Sequence, residues 1–305
     1  MSRMNHSTKL LSVVYFGTPD FSARLLKMLD EDKTLPIDIK AVVTQPDKKV
    51  GRKQMLTSSA VKQYANDHDI SVHYNWNELT KKPADGKIVF DLGIVFAYGK
   101  ILPAQALGLA RYGYWNLHPS LLPKHRGPSP VAGPLLEGEK QTGVTIMQMD
   151  KQMDHGPIIA QTPAYIFPVW RRDQLTDHLV ELGANLLKQL LHQHAESMDQ
   201  VPCIEQNHKE ASYTSMFKKN DGYIPWQDIQ SKDKSIMRRM FRTYQAYYPW
   251  PGIWTLINID DGEKRLKITK VHWEDNVFVI KKVQLEGKRE VDYGQFCQAY
   301  PKILQ

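Results

Sequence analysis

The sequence predicts an α/β protein in which a doubly wound, mostly parallel sheet is followed by a small β-barrel of the OB type. Its first part alternates short apolar runs with longer helical patterns, which is typical of strand–helix–strand units. Its last third contains short alternating runs instead. The length of 305 residues also favours two domains, because single cores seldom grow beyond about 250–300 residues.

The first domain is predicted to cover residues 1–196. An apolar, β-branched run at residues 13–16 ends in Gly-Thr-Pro-Asp, and apolar residues then recur at helical spacing. Four further strands are predicted because each run is short and bounded by glycine, proline or charge. These strands cover residues 37–44, 91–97, 113–118 and 143–149. A helix over residues 175–194 closes the domain, since its apolar positions share one face.

A linker and a second domain are predicted to follow. Residues 197–211 are polar and show no sustained period, which indicates the linker. In the second domain, residues 212–305, a helix over 232–244 has Arg238 and Arg242 on one face. A proline-rich break then precedes alternating runs that predict a compact barrel. These runs cover residues 254–259, 266–273 and 277–283.

Composition limits the compartment and the partners. Cys203 and Cys297 are too few for a disulfide framework, so a reducing compartment fits best. The first apolar run is too short to cross a membrane. We therefore expect a cytoplasmic protein that does not associate with membranes. Separately, we expect it to be a monomer. The net charge is +7, and residues 206–305 contain 17 Lys and Arg against 12 Asp and Glu. This excess indicates either a solvated face or a phosphate-rich partner.

Several common catalytic motifs are missing from the chain. The turn at Gly17 lacks the second and third glycines of a dinucleotide-binding loop, which argues against a nicotinamide or flavin cofactor. The sequence has no phosphate-binding G-x-x-x-x-G-K-[ST] loop, no H-E-x-x-H helix and no G-x-S-x-G elbow. Nucleotide hydrolysis, zinc proteolysis and serine hydrolysis therefore lose support.

Asn116 and His118 are the strongest candidates for chemistry. Residues two apart on a strand point to the same side, and Pro119 ends this strand where ligands gather in open α/β sheets. A carboxamide beside an imidazole offers two donors to a developing oxyanion, and the imidazole can also move a proton. The alternative is that both are cap or core groups. A third partner would be an acid, and periodicity leaves Asp150 and Asp154 equally open.

Two ordered motifs carry a family resemblance. The N-x-H-P-S-L-L-P motif at residues 116–123 and the D-x-G motif at 154–156 resemble those of the methionyl-tRNA formyltransferase family. Shorter matching segments extend the resemblance over almost the whole chain, at residues 16–21, 44–47, 97–99, 142–147 and 249–252. The resemblance implies a formyltransferase-like fold with Asn116, His118 and Asp154 as catalytic residues, and so selects Asp154 over Asp150.

The resemblance also implies the substrates. A formyl group would pass from 10-formyltetrahydrofolate to the α-amino group of methionyl initiator tRNA, without a metal. The donor would pack against Ser120, Leu121, Leu122 and Pro123. Contacts to tRNA are expected from the basic loop at residues 48–53 and from the second domain, through Lys48, Lys49, Arg52, Lys53, Arg238 and Arg242. The competing hypotheses are a formyltransferase for sugar nucleotides and a non-catalytic RNA-binding module.

Overall fold

The computed structural model describes residues 10–51, 54–80, 89–259 and 262–304. Contacts group the chain into two compact units. The first contains Met1–Pro128, Gly143–Ala164 and Thr176–Tyr213. The second contains Ser129–Thr142, Tyr165–Leu175 and Thr214–Gln305. This grouping assigns two earlier segments to the second unit, whereas the sequence suggested a linear division at residues 197–211. The boundaries of that linear division stay a prediction.

The N-terminal part is built on one seven-stranded sheet and a short hairpin. Its strands are β1 (Leu11–Gly17), β2 (Ile37–Val43), β3 (Lys48–Val50), β4 (Met55–Thr57), β5 (Ser71–His73), β6 (Leu92–Phe96), β7 (Tyr114–His118), β8 (Gln141–Gln148) and β9 (Ile158–Tyr165). The sheet order is β5-β2-β1-β6-β7-β8-β9, and β3 pairs with β4. The pairs β1–β2, β1–β6, β2–β5 and β6–β7 are parallel, while β7–β8 is antiparallel. The predicted mostly parallel sheet is confirmed.

Helices cover both faces of this sheet. They include α1 (Asp20–Asp30), α2 (Ala60–Asp67), α3 (Ala104–Leu107) and α5 (Arg172–His194), whereas α4 (Ala132–Glu137) falls in the second unit. Alternate residues of β1 enter different cores, since Val13 packs in one buried cluster and Val14 in another. A sheet buried on both faces reads as a continuous apolar run, as β1 does. Among the described residues, no helix is both long enough and apolar enough to cross a membrane.

The carboxyl ends of the central strands meet at one edge of the sheet. Strand β1 ends at Gly17, where a Cβ atom would lie 2.0 Å from the Ser22 hydroxyl and 3.0 Å from the Phe96 carbonyl. That hydroxyl donates to the Phe96 carbonyl at 2.8 Å and thereby ties the start of α1 to the end of β6. The glycine is required because the two strand ends and the helix come too close for a side chain. This edge is where β7 also ends.

The second unit contains a small antiparallel sheet. Its helices are α6 (Trp226–Ile229), α7 (Lys234–Tyr247) and α8 (Tyr293–Ala299), and its strands are β10 (Ile253–Ile259), β11 (Gly262–Glu274), β12 (Val277–Leu285) and β13 (Glu290–Asp292). The four strands pair in sequence order. The Asp233 carboxylate caps α7 by accepting from the Ser235 amide at 2.7 Å. Buried Met240 and Tyr244 of α7 pack in one cluster with strand residues such as Leu266. The predicted β-rich unit is confirmed, with a sheet of the kind found in small barrels.

Candidate active site

Strand β7 places Asn116 and His118 at the edge of the sheet. The backbone of Asn116 is paired on both sides, with Val95 of β6 and Met147 of β8. The intervening Leu117 belongs to the core cluster that also contains Val13. Because side chains alternate along a strand, Asn116 and His118 both point to the opposite face. They are buried, with exposed fractions of 9% and 4%.

The His118 ring has two different partners. Its Nε2 atom lies 3.0 Å from the His125 carbonyl oxygen. A carbonyl can only accept, so Nε2 carries a hydrogen. The Nδ1 atom lies 3.6 Å from Asp154 Oδ1, which is an ion-pair distance rather than a hydrogen bond. The ring is therefore oriented through one nitrogen, and the other faces a carboxylate and can accept or release a proton.

Asp154 is held in place from the other side. Its Oδ2 atom accepts from the Gly127 amide at 2.7 Å, which leaves Oδ1 toward His118. The side chain is only 13% exposed, so solvent screens this contact weakly. Asp150 instead pairs with His155, whose Nδ1 lies 2.7 Å from Asp150 Oδ2. The structure thus brings Asp154 to His118 and gives Asp150 a different partner, a choice that sequence periodicity left open.

Gly156 explains the last position of the D-x-G motif. A Cβ atom built there would lie 2.0 Å from the carbonyl oxygen of Gln148 and 3.3 Å from the Asp150 amide nitrogen. Both contacts are to backbone, which cannot move aside as a flexible side chain can. The motif therefore ends in glycine because the chain passes directly against the end of β8. This close contact between the backbone at Gly156 and the end of β8 sets the position of Asp154.

The loop at residues 119–123 follows His118 directly. The Thr145 hydroxyl donates to the Ser120 carbonyl at 2.7 Å and accepts from the Leu122 amide at 3.1 Å. The Gln161 amide donates to the Leu122 carbonyl at 2.8 Å. Ser120 and Leu122 are buried, and Leu121 and Pro123 are half-buried. The predicted donor-binding residues therefore form a braced loop with some accessible apolar surface beside His118.

The predicted basic loop at residues 48–53 begins as a strand. Lys48 and Lys49 lie in β3, which pairs with β4, so the expectation of a loop is wrong for these two residues. Asp47 anchors the hairpin base through the Lys62 ammonium at 2.8 Å. That hydrogen bond lowers the pKa of Asp47 and raises the pKa of Lys62. The predicted contacts Arg52 and Lys53 lie outside the described residues.

A basic cleft occupies one side of the second unit. Its volume is about 390 Å³, and its lining residues are Leu136, Lys234, Ser235, Arg238, Arg239 and Arg242. Arg239 is paired with Asp228 at 2.7 Å, outside the lining set. Arg238 lies 3.4 Å from the Asn276 side-chain oxygen, a long hydrogen bond. The Arg242 guanidinium lies against Gly138, where a Cβ atom would be 2.0 Å from it. Both arginines predicted from helical spacing line the same cleft.

Two glutamines at the site were not identified from the sequence. Gln161 braces the loop after His118, as described above. Gln206 donates to the Asp154 carbonyl at 3.1 Å, although it belongs to the segment predicted as a linker. A polar, aperiodic segment carries no signal that one of its residues contacts a site 52 positions earlier.

Comparison with known proteins shows the enzyme class of this chain first and then its family. The protein-family model for formyl transferase matches residues 10–191, which include Asn116, His118 and Asp154. A methionyl-tRNA formyltransferase from Chloroflexus aurantiacus is 40% identical over 80% of this chain and 76% of its own. Another, from Caldicellulosiruptor saccharolyticus, is 33% identical over 95% of this chain and 97% of its own. The chain therefore belongs to the formyl transferase family and, within it, to the methionyl-tRNA formyltransferases.

Solved structures with the same fold are more distant in sequence. An N-formyltransferase from Helicobacter canadensis, in complex with folinic acid and dTDP-3-aminofucose, superposes with a TM-score of 0.59 at 18% identity, covering 87% of this chain and 89% of its own. A 4-N formyltransferase from Francisella tularensis gives 0.61 at 17% identity, covering 90% and 99%. At these identities the likeness concerns the fold.

Substitution of Gly156 tests the close passage at the D-x-G motif. Gly156→Ala should lower the free energy of unfolding by about 1–3 kcal/mol, because the added methyl group meets backbone. Gly294→Ala is the matched control, since nothing lies within 4 Å of a Cβ there. That change lies within α8 and should be neutral or stabilising by up to about 1 kcal/mol. Urea unfolding measures both, and an unchanged stability for Gly156→Ala would contradict the packing described.

Proposed function

We propose that this chain transfers a formyl group from 10-formyltetrahydrofolate to the α-amino group of methionine esterified to initiator tRNA. The observation that carries the proposal is the buried contact between His118 and Asp154, with Asn116 on the same side of β7. The relatives at 33–40% identity, named for this reaction, support the choice of acceptor.

Formyl transfer requires an amine to attack a carbonyl carbon, so negative charge develops on the carbonyl oxygen. The folate supplies that carbonyl and a nitrogen leaving group when it is bound. The Asn116 amide would donate one hydrogen bond to the oxygen. His118 would donate another from Nδ1, because its Nε2 hydrogen is already bonded to the His125 carbonyl. These two hydrogen-bond donors would stabilise the negative charge on the carbonyl oxygen, so the proposed reaction involves no metal.

Asp154 would carry a proton from the attacking amine nitrogen to the leaving nitrogen of the folate. The distance of 3.6 Å between Nδ1 and Oδ1 leaves the Nδ1 hydrogen available to a third group. A shorter, aligned hydrogen bond would commit that hydrogen to the carboxylate. The carboxylate therefore lies beside the ring without taking up its Nδ1 hydrogen, which the ring can donate to the reacting group.

The loop after His118 fits a flat, partly apolar donor. Leu121 and Pro123 are half-buried and offer apolar surface, while the backbone beneath them is fixed by Thr145 and Gln161. A ring system that packs on such a braced loop would be positioned against His118 at little entropic cost. We therefore assign donor contacts to Ser120, Leu121, Leu122 and Pro123, which adjoin the proposed catalytic histidine.

Two basic surfaces would attract tRNA. The hairpin contributes Lys48 and Lys49, and the cleft of the second unit contributes Arg238 and Arg242. Phosphate contacts of this kind supply affinity that falls with salt. The proposed contacts Arg52 and Lys53 rest on the family resemblance. A monomeric, cytoplasmic enzyme remains our expectation for the assembly and the compartment.

The test of function is to incubate the protein with 10-formyltetrahydrofolate and methionyl initiator tRNA, and to look for formylmethionine after hydrolysis. Methionyl elongator tRNA and a nucleotide-linked amino sugar serve as alternative acceptors. Formylmethionine from the initiator tRNA is expected. Formyl transfer to the amino sugar with none to tRNA would favour the competing sugar formyltransferase, and tRNA binding without any transfer would favour the RNA-binding module.

Asp154 and Asp150 form a matched pair for testing the site. Asp154→Asn should lower kcat by roughly 10²–10⁴-fold, which is the usual contribution of a positioned proton-transfer group. Asp150→Asn removes the same charge four positions earlier, but that carboxylate bonds His155, so kcat should fall far less. Steady-state formylation measures both. Equal losses in the two variants would remove the basis for assigning Asp154.

The basic cleft is tested by the salt dependence of tRNA binding. Arg238→Ala and Arg242→Ala should each weaken binding and reduce the slope of log affinity against log salt by about one, as expected for a lost phosphate contact. Arg24→Ala removes the same charge from α1 and is the control, because Arg24 is paired with Asp177. If all three variants behave alike, only net charge matters and the cleft is not the contact.

A further inference from the structure

Gln206 clamps the segment that contains Asp154. Its Nε2 atom donates to the Asp154 carbonyl at 3.1 Å and to the Gly156 carbonyl at 2.7 Å. Its Oε1 atom accepts from Arg126, at 3.2 Å from Nε and 2.6 Å from Nη2. The amide orientation follows from chemistry, because a guanidinium can only donate and a carbonyl can only accept. Both the oxygen and the nitrogen of this buried side-chain amide are therefore hydrogen-bonded.

Arg126, which donates to the Gln206 side-chain oxygen, is itself only 2% exposed. Its Nη2 atom also lies 2.8 Å from His208 Nδ1, which must be the acceptor because the guanidinium has no lone pair to offer. The His208 ring stacks on His155 with a centroid distance of 4.0 Å and an angle of 7° between planes. The network therefore reaches residues 154–156 by two routes, through Gln206 and through the stacked rings.

Asp154 needs such support because of its backbone. Its φ angle is +53°, in the left-handed region, which residues other than glycine seldom adopt, although aspartate does so more often than most. A disfavoured conformation persists only where the surroundings impose it. The Gly127 amide holds the carboxylate, and Gln206 holds the carbonyls of Asp154 and Gly156. Without Gln206, the segment loses both backbone contacts from this side chain, and only the carboxylate contact is left to hold it.

We propose that Gln206, backed by Arg126, is a positioning residue that sets the backbone of Asp154 so that its carboxylate faces His118. The proposal rests on the proposed function, in which Asp154 acts on His118. It also places support for the site beyond residue 191, where the matched formyl transferase region ends. The segment predicted as a linker therefore completes the site.

The first test substitutes Gln206 by methionine, which has a similar size but lacks the amide. Gln206→Met should lower kcat by roughly 10–100-fold, as a small misplacement of a catalytic group does, while KM for the folate and for tRNA changes little. Gln200→Met is the matched control, because Gln200 is exposed and lies outside the network. It should leave kcat and KM unchanged. A wild-type kcat in Gln206→Met overturns the proposal.

A double-mutant cycle separates positioning from general damage. In an Asp154→Asn background, Gln206→Met should lower kcat little further, because the group that it positions is already lost. A full additional loss would mean that Gln206 acts by another route. Gln206→Glu covers the case in which the methionine variant does not fold. The carboxylate still accepts from Arg126 but cannot donate to the two carbonyls, so the same loss of kcat is expected.

A readout that needs no acceptor distinguishes this proposal from the proposed function. The Gly127 amide hydrogen, bonded to Asp154 Oδ2, should exchange with solvent faster in Gln206→Met, while amides of the β1 core keep wild-type rates. An unchanged rate at Gly127 overturns the positioning role even if the enzyme formylates another acceptor. If the wild type does not formylate methionyl-tRNA, the proposed function fails. The exchange result still shows whether Gln206 positions Asp154.

Discussion

The candidate site depends on the buried contact between His118 and Asp154. The segment from His125 to Gly127 holds both of these side chains in place. The His125 carbonyl accepts from His118 Nε2, and the Gly127 amide donates to Asp154 Oδ2. Both residues have positive φ angles, +58° for His125 and +106° for Gly127, which turn these backbone groups toward the site. One tight segment thus sets the orientation of the imidazole and of the carboxylate. Neither side chain can rotate away without leaving a buried polar group unpaired.

The two units meet different physical requirements. Acyl transfer gains from a dry, preorganised site, and Asn116 and His118 are buried at the edge of a sheet that is packed on both faces. Attraction of a polyanion needs accessible cations, and Arg239 in the basic cleft keeps about two thirds of its side chain exposed while paired with Asp228. In the proposed function, long-range attraction and close-range chemistry are therefore supplied by different parts of the chain.

Local sequence patterns predicted the strands of the sheet. The arrangement of the site depends instead on contacts between residues that are far apart in sequence. The strands at residues 13–16 and 113–118 were predictable because short buried runs have a clear signature, and period two predicted that Asn116 and His118 share a face. Asp154 could not be chosen by pattern, since its place depends on the Gly127 amide, 27 positions earlier. The hairpin at Lys48 was missed because three-residue strands on an exposed surface show no alternation.

We expect His118 to use Nε2 to hold its orientation and Nδ1 for the proposed chemistry. Nitrogen-15 NMR of the histidine rings, with His118 assigned by comparison with a His118→Asn variant, measures this directly. We expect Nε2 to carry the hydrogen of the neutral ring, because the His125 carbonyl accepts it, and Nδ1 to be without one. A neutral ring with the hydrogen on Nδ1 and none on Nε2 would contradict this assignment of the two nitrogens.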